Sequence, residues 1–92
     1  MPKFLIEVPH DNTPQACTRA VDSFLRTGSH FLTHADWGCK DGEHMAWLMI
    51  DVDSKNEARN VVPPDLRMGA KVVQLTTFTR DDLVDSARAH GS

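Results

Sequence analysis

The stretch HFLTHADWGCKDGEHMAWLMIDVD, residues 30–53, decides the fold predicted for this chain. It contains three of the five histidines, one of the two cysteines and both tryptophans. Asp41-Gly42 separates two alternating runs, and such a pair is a strong signal for a tight turn between antiparallel strands. The predicted hairpin register pairs Lys40 with Glu43, Cys39 with His44, Asp36 with Trp47 and His34 with Met49.

The predicted hairpin has two different faces, because side chains alternate along a strand. The face expected to join the core holds Phe31, Thr33, Ala35, Trp37, Ala46, Leu48, Ile50 and Val52. The other face, expected to be open, holds His30, Leu32, His34, Asp36, Met45, Trp47, Met49 and Asp51. The open face combines histidines and carboxylates with a large aromatic ring and a thioether. Any chemistry is therefore predicted there.

Composition indicates one small globular domain, residues 1–92. The net charge of −3 gives no electrostatic footprint for nucleic acid or for an anionic membrane. No apolar run approaches the roughly 20 residues of a membrane span. The first residues, MPKFLIEVPH, lack the pattern of a signal peptide. Two free thiols in a cytoplasmic protein are the resulting expectation.

The rest of the chain alternates strand and helix signals. Strands are predicted from Lys3 to Val8, which is expected to be central, and from Lys71 to Thr79. Thr13 is predicted to cap a first helix that ends at Gly28, and Ser54 with Glu57 to open a second helix that runs through Val62. Thr79 is predicted to cap a last helix, and residues 90–92 are expected to fray. The order is β-α-β-β-α-β with an extra C-terminal helix. It predicts a ferredoxin-like α+β fold with a four-stranded antiparallel sheet covered by helices on one face.

The bare sheet face is too apolar to stay uncovered, so a second copy is expected to pack against it. The element pattern over residues 3–79, the helix opened by VDSKNEA and the return strand in PPDLRMGAKVVQLTTF resemble the dimeric α+β barrel superfamily. Within it, the chain looks most like muconolactone isomerase-like proteins. This resemblance implies a homodimer or higher oligomer with a ligand or active-site cavity between sheet and partner. The family includes isomerases, monooxygenases without a cofactor, and proteins of no known activity.

A catalytic pair is predicted on the open face. His34 and Asp36 lie two residues apart on one predicted strand, with Cα atoms about 7 Å apart. A carboxylate at this distance raises the pKa of an imidazole and orients its tautomer, which prepares a general acid or base. His34 is the predicted acid/base and Asp36 its orienting partner. Trp47 and Met49 would form the wall of the ligand site.

Three further residues are candidates for ligand contact. Glu7 projects onto the open face only in one of the two possible registers. His10 follows the first strand near the mouth of the sheet, although a polar residue there can also serve as a cap. Arg67, in the proline-broken loop, could bind a carboxylate bidentately or remain solvated. No phosphate loop, GxSxG, HExxH or CxxC motif occurs, so no cofactor is predicted.

No metal site within one chain is predicted. His30 and His34 would lie about 13 Å apart on a strand, too far to share an ion. Cys39 and His44 face each other across the turn and could chelate, but on the opposite face from His34. Cys39 is otherwise a plain loop thiol, and Cys17 is expected to be a small core residue on the apolar stripe of the first helix.

The predicted function is binding of a small organic ligand on the open sheet face of a homodimer or larger oligomer. If the protein is catalytic, an isomerase or lyase-type proton transfer is the expected class. One alternative is a transition-metal binding protein that uses His30 or His34 from two copies. Another is a structural dimer with no ligand.

Overall fold

The computed structural model describes residues 1–27 and 30–89, with side chains described through residue 84. The strands and helices are β1 (Lys3–Pro9), α1 (Pro14–Thr27), β2 (Asp36–Trp37), β3 (Met45–Asp51), α2 (Lys55–Val61), β4 (Lys71–Leu75) and α3 (Arg80–Ala89). Short 3₁₀ turns occupy His30–His34, Cys39–Asp41 and Arg67–Gly69. The predicted helix stop at Gly28 and the predicted fraying of residues 90–92 lie outside the described residues.

The four strands form one antiparallel sheet in the order β2-β3-β1-β4. β3 therefore lies between β1 and β2, and β1 occupies the central position predicted from its apolar sequence. Asp36 pairs with Trp47 and Trp37 with Ala46, so these two positions keep the predicted hairpin register. The predicted pairs of His34 with Met49, Cys39 with His44 and Lys40 with Glu43 are not part of this ladder, because His30–His34 and Cys39–Asp41 form 3₁₀ turns. The architecture is α+β with a βαββαβ-like order and a short C-terminal helix, as the sequence predicts at this level.

Alternation along the strands decides which sheet face is buried. Phe4, Ile6 and Val8 of β1 and Ala46, Leu48 and Ile50 of β3 point into the core. α1 and α2 cover this face with Ala16, Ala20, Phe24 and Ala58. Burial of apolar surface stabilises the fold by roughly 25 cal/mol per Å². A shift of one residue in the strand register would move these side chains out of the core, so their burial fixes the register. The four core positions predicted for the second hairpin strand, Ala46, Leu48, Ile50 and Val52, are all buried.

The helices begin where capping residues predict. Thr13 Oγ1 accepts a hydrogen bond from the Ala16 amide at 3.0 Å, one turn into α1. Ser54 Oγ accepts from the Glu57 amide at 3.1 Å, and Glu57 in turn accepts from the Asp53 amide. At α3 the Thr79 hydroxyl accepts a hydrogen bond from the Asp82 amide, and the Asp82 carboxylate accepts one from the Thr79 amide.

The first half of the predicted hairpin differs most from expectation. Residues His30–His34 form a 3₁₀ turn instead of a strand, and β2 is only two residues long. The Thr33 hydroxyl donates to the His30 carbonyl oxygen, a local bond that competes with a sheet ladder. Period-two alternation therefore fails here. Leu32, predicted on the open face, is instead buried in the core, with 2 % of its surface exposed.

The fourth strand is also shorter than predicted, because it ends at Leu75 rather than at Thr79. Phe78 follows it with 69 % of its surface exposed. Within the described residues, no helix combines the length and apolar character needed to cross a bilayer.

Candidate metal centre

Four chain segments meet at one end of the sheet. β1 ends at Pro9, which pairs with Met45 at the start of β3. The His10 amide donates to the His44 carbonyl oxygen at 3.1 Å and extends this pairing by one step. The β2–β3 turn and the first turns of α1 lie at the same end. Four side chains from these segments form what we call the His–Cys cluster: His10, Cys17, Cys39 and His44.

The His–Cys cluster is held by close contacts of its polar atoms. His10 Nε2 lies 3.1 Å from Cys39 Sγ, and the Cys17 thiol lies 2.8 Å from the same sulfur. The rings of His10 and His44 meet edge to face, with centroids 5.6 Å apart. One potential ligand atom from each of His10, Cys39 and His44 lies within 4.8 Å of the others. This is the only group of three or more such ligands that the described residues contain.

Burial favours the neutral forms of His10 and Cys39. All four residues are half-buried. Desolvation, with a smaller contribution from the neighbouring His44, holds the pKa of His10 below its ordinary value. Desolvation and the adjacent Cys17 thiol raise the pKa of Cys39. A neutral imidazole is the form that binds a metal ion, whereas a thiol must first release its proton.

Two buried ring nitrogens in the His–Cys cluster lack a hydrogen-bond partner. They are His10 Nδ1 and His44 Nδ1, and they are the only buried side-chain nitrogen or oxygen atoms without a partner among the described residues. Buried polar atoms in native proteins are nearly always satisfied, by protein, water or an ion. A bond from imidazole to a metal is one way to satisfy such an atom.

The β2–β3 turn positions Cys39 and leaves little room for change. A Cβ atom on Gly38 would lie 2.7 Å from the Glu43 carbonyl oxygen and 2.8 Å from the ring of Trp47. Gly42 has a φ of +86°, in the left-handed region that favours glycine. The two glycines therefore allow the chain to fold back with the Cys39 side chain directed towards His10.

One side of the His–Cys cluster is packed and another is accessible. The His10 ring lies against Trp37, which contacts the buried ring of Phe24 with centroids 4.8 Å apart. On the accessible side, an open cavity of about 270 Å³ is lined by Cys17, Cys39 and His44, together with residues at the start of α1. An ion or small reagent can reach the sulfur atoms through this cavity.

The predicted open-face residues occupy a different region, which we call the open-face group: Glu7, His34, Asp36, Trp47 and Met49. Asp36 pairs with Trp47 on β3, and Trp47 pairs with Glu7 on β1. Because directly paired residues project to the same side, this register places Glu7 on the open face. Glu7 and Trp47 are half-buried, whereas Asp36 is exposed.

His34 lies beside the sheet at the end of a 3₁₀ turn. It lines an open cavity of about 220 Å³ together with His30 and Met49. No direct hydrogen bond joins His34 to Asp36 among the described side chains, so the dyad stays a prediction. The 3₁₀ turn also brings the His30 and His34 rings to 5.0 Å between centroids. The predicted separation of about 13 Å is therefore wrong, because it assumed strand spacing.

Arg67 has a contact that accounts for its position. Its Nε and Nη2 atoms donate to the Val62 carbonyl oxygen, at 3.2 and 2.9 Å, and Nη2 also donates to the Asn60 carbonyl oxygen. These oxygens belong to the C-terminal end of α2, where a cation is favoured by the helix dipole. The guanidinium thus lies on the helix-covered side of the sheet.

The contact of Cys17 with Cys39 is not predicted from the sequence. Cys17 was expected in the core, but its sulfur is half-buried beside Cys39. The signal that could have revealed it is topological. In a βαββ arrangement the end of the first strand, the start of the first helix and the hairpin turn share one end of the sheet. His10, Cys17 and the turn residues all occupy these positions.

Comparison of the chain with protein-family models, with curated proteins and with solved structures gave no match in any of the three.

Proposed function

We propose that this protein binds a transition-metal ion of the Zn²⁺ class through the His–Cys cluster. The observation that carries the proposal is the convergence of His10, Cys39 and His44 within 4.8 Å. Imidazole nitrogen and thiolate sulfur are the ligands that Zn²⁺ prefers. His10 Nδ1 and His44 Nδ1 are buried without a hydrogen-bond partner, and an ion bonded to either nitrogen would satisfy it.

Cys17 would supply a fourth ligand: its sulfur lies 2.8 Å from Cys39 Sγ but outside the group of three whose ligand atoms lie within 4.8 Å of one another, so its side chain would have to rotate towards the histidines. A Cys₂His₂ set is typical of closed, structural zinc sites. Donor atoms around a tetrahedral Zn²⁺ ion lie about 3.3–3.8 Å apart, as follows from metal–ligand bonds of about 2.0–2.3 Å. The sulfur atoms at 2.8 Å would separate by about 1 Å on binding, and the His10 Nε2–Cys39 Sγ pair at 3.1 Å would separate slightly. Side-chain rotations supply displacements of this size.

The bound ion would link the start of α1 to the end of β1 and to the β2–β3 turn. Cys17 lies in α1, His10 after β1, Cys39 in the turn and His44 before β3. A domain of this size has a limited core, and a structural metal is a common stabilising device in small domains. We therefore assign the ion a structural role and the protein a metal-dependent fold at this end of the sheet.

Titration with Co²⁺ tests the proposal, because Co²⁺ bound tetrahedrally by thiolate gives both charge-transfer and intense ligand-field absorption. We expect one equivalent to bind with submicromolar affinity, and Zn²⁺ to displace it. Cys39→Ser should remove about half of the thiolate absorption, because Cys17 would remain as the other sulfur ligand. His30→Ala, a histidine outside the His–Cys cluster, is the matched control and should bind normally. Absent or micromolar-or-weaker binding by the untagged protein would contradict the proposal.

A second candidate function concerns the open face. We propose that a second copy of the chain packs on this face and encloses a small organic ligand, as in a ferredoxin-like dimeric α+β barrel. Exposed Met49 and half-buried Trp47, Leu5 and Val73 supply the apolar surface. The cavity of about 220 Å³ beside His34 offers a site for the ligand. With two copies, His34 and Asp36 could act as acid/base and orienting residue in an isomerase or lyase-type reaction.

Native mass spectrometry tests this second candidate. The expected result is a dimer that retains a small organic molecule or binds one from a metabolite library. His34→Ala should reduce that retention, whereas Arg59→Ala, on the helix-covered side, should not. A dimer that binds no organic compound would leave only the structural-dimer alternative for this face.

A further inference from the structure

The two cysteines of the chain are positioned for a reaction as well as for binding. They are 22 residues apart in sequence, yet their sulfur atoms lie 2.8 Å apart and both are free thiols. This separation is well inside ordinary sulfur–sulfur contact and about 0.8 Å longer than a disulfide bond. Formation of a covalent bond would require only a small movement of either side chain.

We propose that Cys17 and Cys39 form a reversible disulfide when the protein meets a peroxide, and that this oxidation releases the metal ion from the His–Cys cluster. The release step rests on the proposed function. The disulfide step rests on the sulfur geometry alone.

The reaction balances without a further reagent. One thiolate attacks a peroxide oxygen, the O–O bond breaks, and a sulfenic acid forms as water leaves. The second thiolate then attacks the sulfenic sulfur, and the S–S bond forms as a second water leaves. With hydrogen peroxide, the two sulfurs lose two electrons, the peroxide gains them, and two protons from solvent complete the two waters. A dithiol reductant reverses the oxidation by thiol–disulfide exchange.

Oxidation would remove half of the ligands at once. A disulfide sulfur carries no negative charge, and the thiolate is the form that ligates a metal. Only His10 and His44 would remain, and two imidazoles are too few for a stable protein site. The cavity of about 270 Å³ that Cys17 and Cys39 line is open to a reagent of peroxide size. Metal occupancy would therefore report the redox state of this thiol pair.

The test treats the zinc-loaded and the metal-free protein with hydrogen peroxide in parallel. Intact mass and peptide mapping follow the disulfide, and a chromogenic chelator follows free zinc. We expect a mass loss of two hydrogens, a Cys17–Cys39 peptide link, and release of zinc with the same time course. Dithiothreitol should restore both thiols and the capacity to bind zinc.

Cys17→Ser is the diagnostic variant, because it keeps three cluster ligands and cannot form the link. Its zinc should be released at least roughly tenfold more slowly by peroxide, and higher sulfur oxides should accumulate on Cys39. Zinc-loaded protein whose two cysteines are oxidised separately, or not at all, would overturn the proposal. If the protein never binds metal, the proposed function fails. A missing link in the metal-free protein would then overturn the disulfide as well.

Discussion

The His–Cys cluster and the open-face group contain similar residue types but differ in how the backbone brings them together. The first collects single residues from four segments, and its polar atoms touch. The second comes from neighbouring positions in one stretch of sequence, and its His34 and Asp36 remain unbonded to each other among the described side chains. Nearness in sequence predicted poorly which polar side chains contact each other. Position at the same end of the sheet predicted these contacts better.

The largest expected difference between the two regions is the effect of zinc on thermal stability. At a free zinc concentration a thousandfold above Kd, binding stabilises the folded state by about 4 kcal/mol. For a domain of this size, that corresponds to a rise in Tm of about 15–30 °C. Differential scanning calorimetry should show this rise for the wild type and for His34→Ala, but not for His44→Ala. An equal loss in both variants would remove the distinction between the regions.

Assembly provides the next test, now on the open-face group. Trp47→Glu would bury an unpaired charge if a second copy covers this face. Sedimentation equilibrium at micromolar concentration should give a dimer for the wild type and a monomer for the variant. Lys40→Gln, an exposed change in the turn that also lowers the net charge by one, serves as the control for charge. A wild-type protein that is monomeric at this concentration contradicts the barrel proposal directly.

Sequence reasoning succeeded where one physical rule acted alone. The caps at Thr13 and Ser54 follow from side-chain oxygen and amide chemistry, and both form as predicted. The register of Asp36 with Trp47 follows from the Asp-Gly turn and the apolar alternation of the second strand. These rules need only a few consecutive residues, so the four-stranded α+β architecture could be predicted from them.

It failed where tertiary packing overrode a local period. Residues 30–34 alternate plausibly as a strand, but burying Leu32 in the core is accompanied by a 3₁₀ turn that rotates both histidines. Cys17 fits an apolar helical stripe, and only the position of the β2–β3 turn reveals that its sulfur has a partner. Within the His–Cys cluster, the proximity of Cys39 and His44 was predicted from the turn, whereas the approach of His10 and Cys17 depends on long-range contacts that residue spacing alone does not contain.

The turn glycine supplies a smaller test of how the His–Cys cluster is built. In Gly38→Ala, the new Cβ would come within 3 Å of a backbone oxygen and the Trp47 ring, so the turn must move. Overpacking of this kind costs about 1–3 kcal/mol. The matched control is Gly69→Ala, whose Cβ would make only an ordinary 3.5 Å contact with Pro9. Urea unfolding should separate the two variants, and Co²⁺ affinity should fall only in Gly38→Ala.

Acid should weaken the metal-free His–Cys cluster. The folded state holds the pKa of His10 below the unfolded-state value of about 6.5. Between these two pKa values the unfolded state binds more protons, so stability falls as pH falls from about 6.5 towards the folded-state pKa. Urea unfolding at pH 7.5 and 5.5 should show that lowering the pH reduces the free energy of unfolding less in His10→Asn than in the wild type. An identical loss would mean that His10 is not desolvated when folded.

The smallest expected effect lies in the open-face group itself. His34 and Asp36 are both exposed, and no hydrogen bond joins them among the described side chains, so His34→Ala and Asp36→Asn leave no buried partner unsatisfied. Each should change the free energy of unfolding by no more than about 0.5 kcal/mol. A double-mutant cycle should give a coupling energy near zero, because no hydrogen bond joins the two described side chains. A coupling above about 1 kcal/mol would instead indicate that a second copy brings the pair together in solution. Such a coupling would support the proposed roles of His34 and Asp36, since a pair assembled only in the dimer can still act as acid/base and orienting residue.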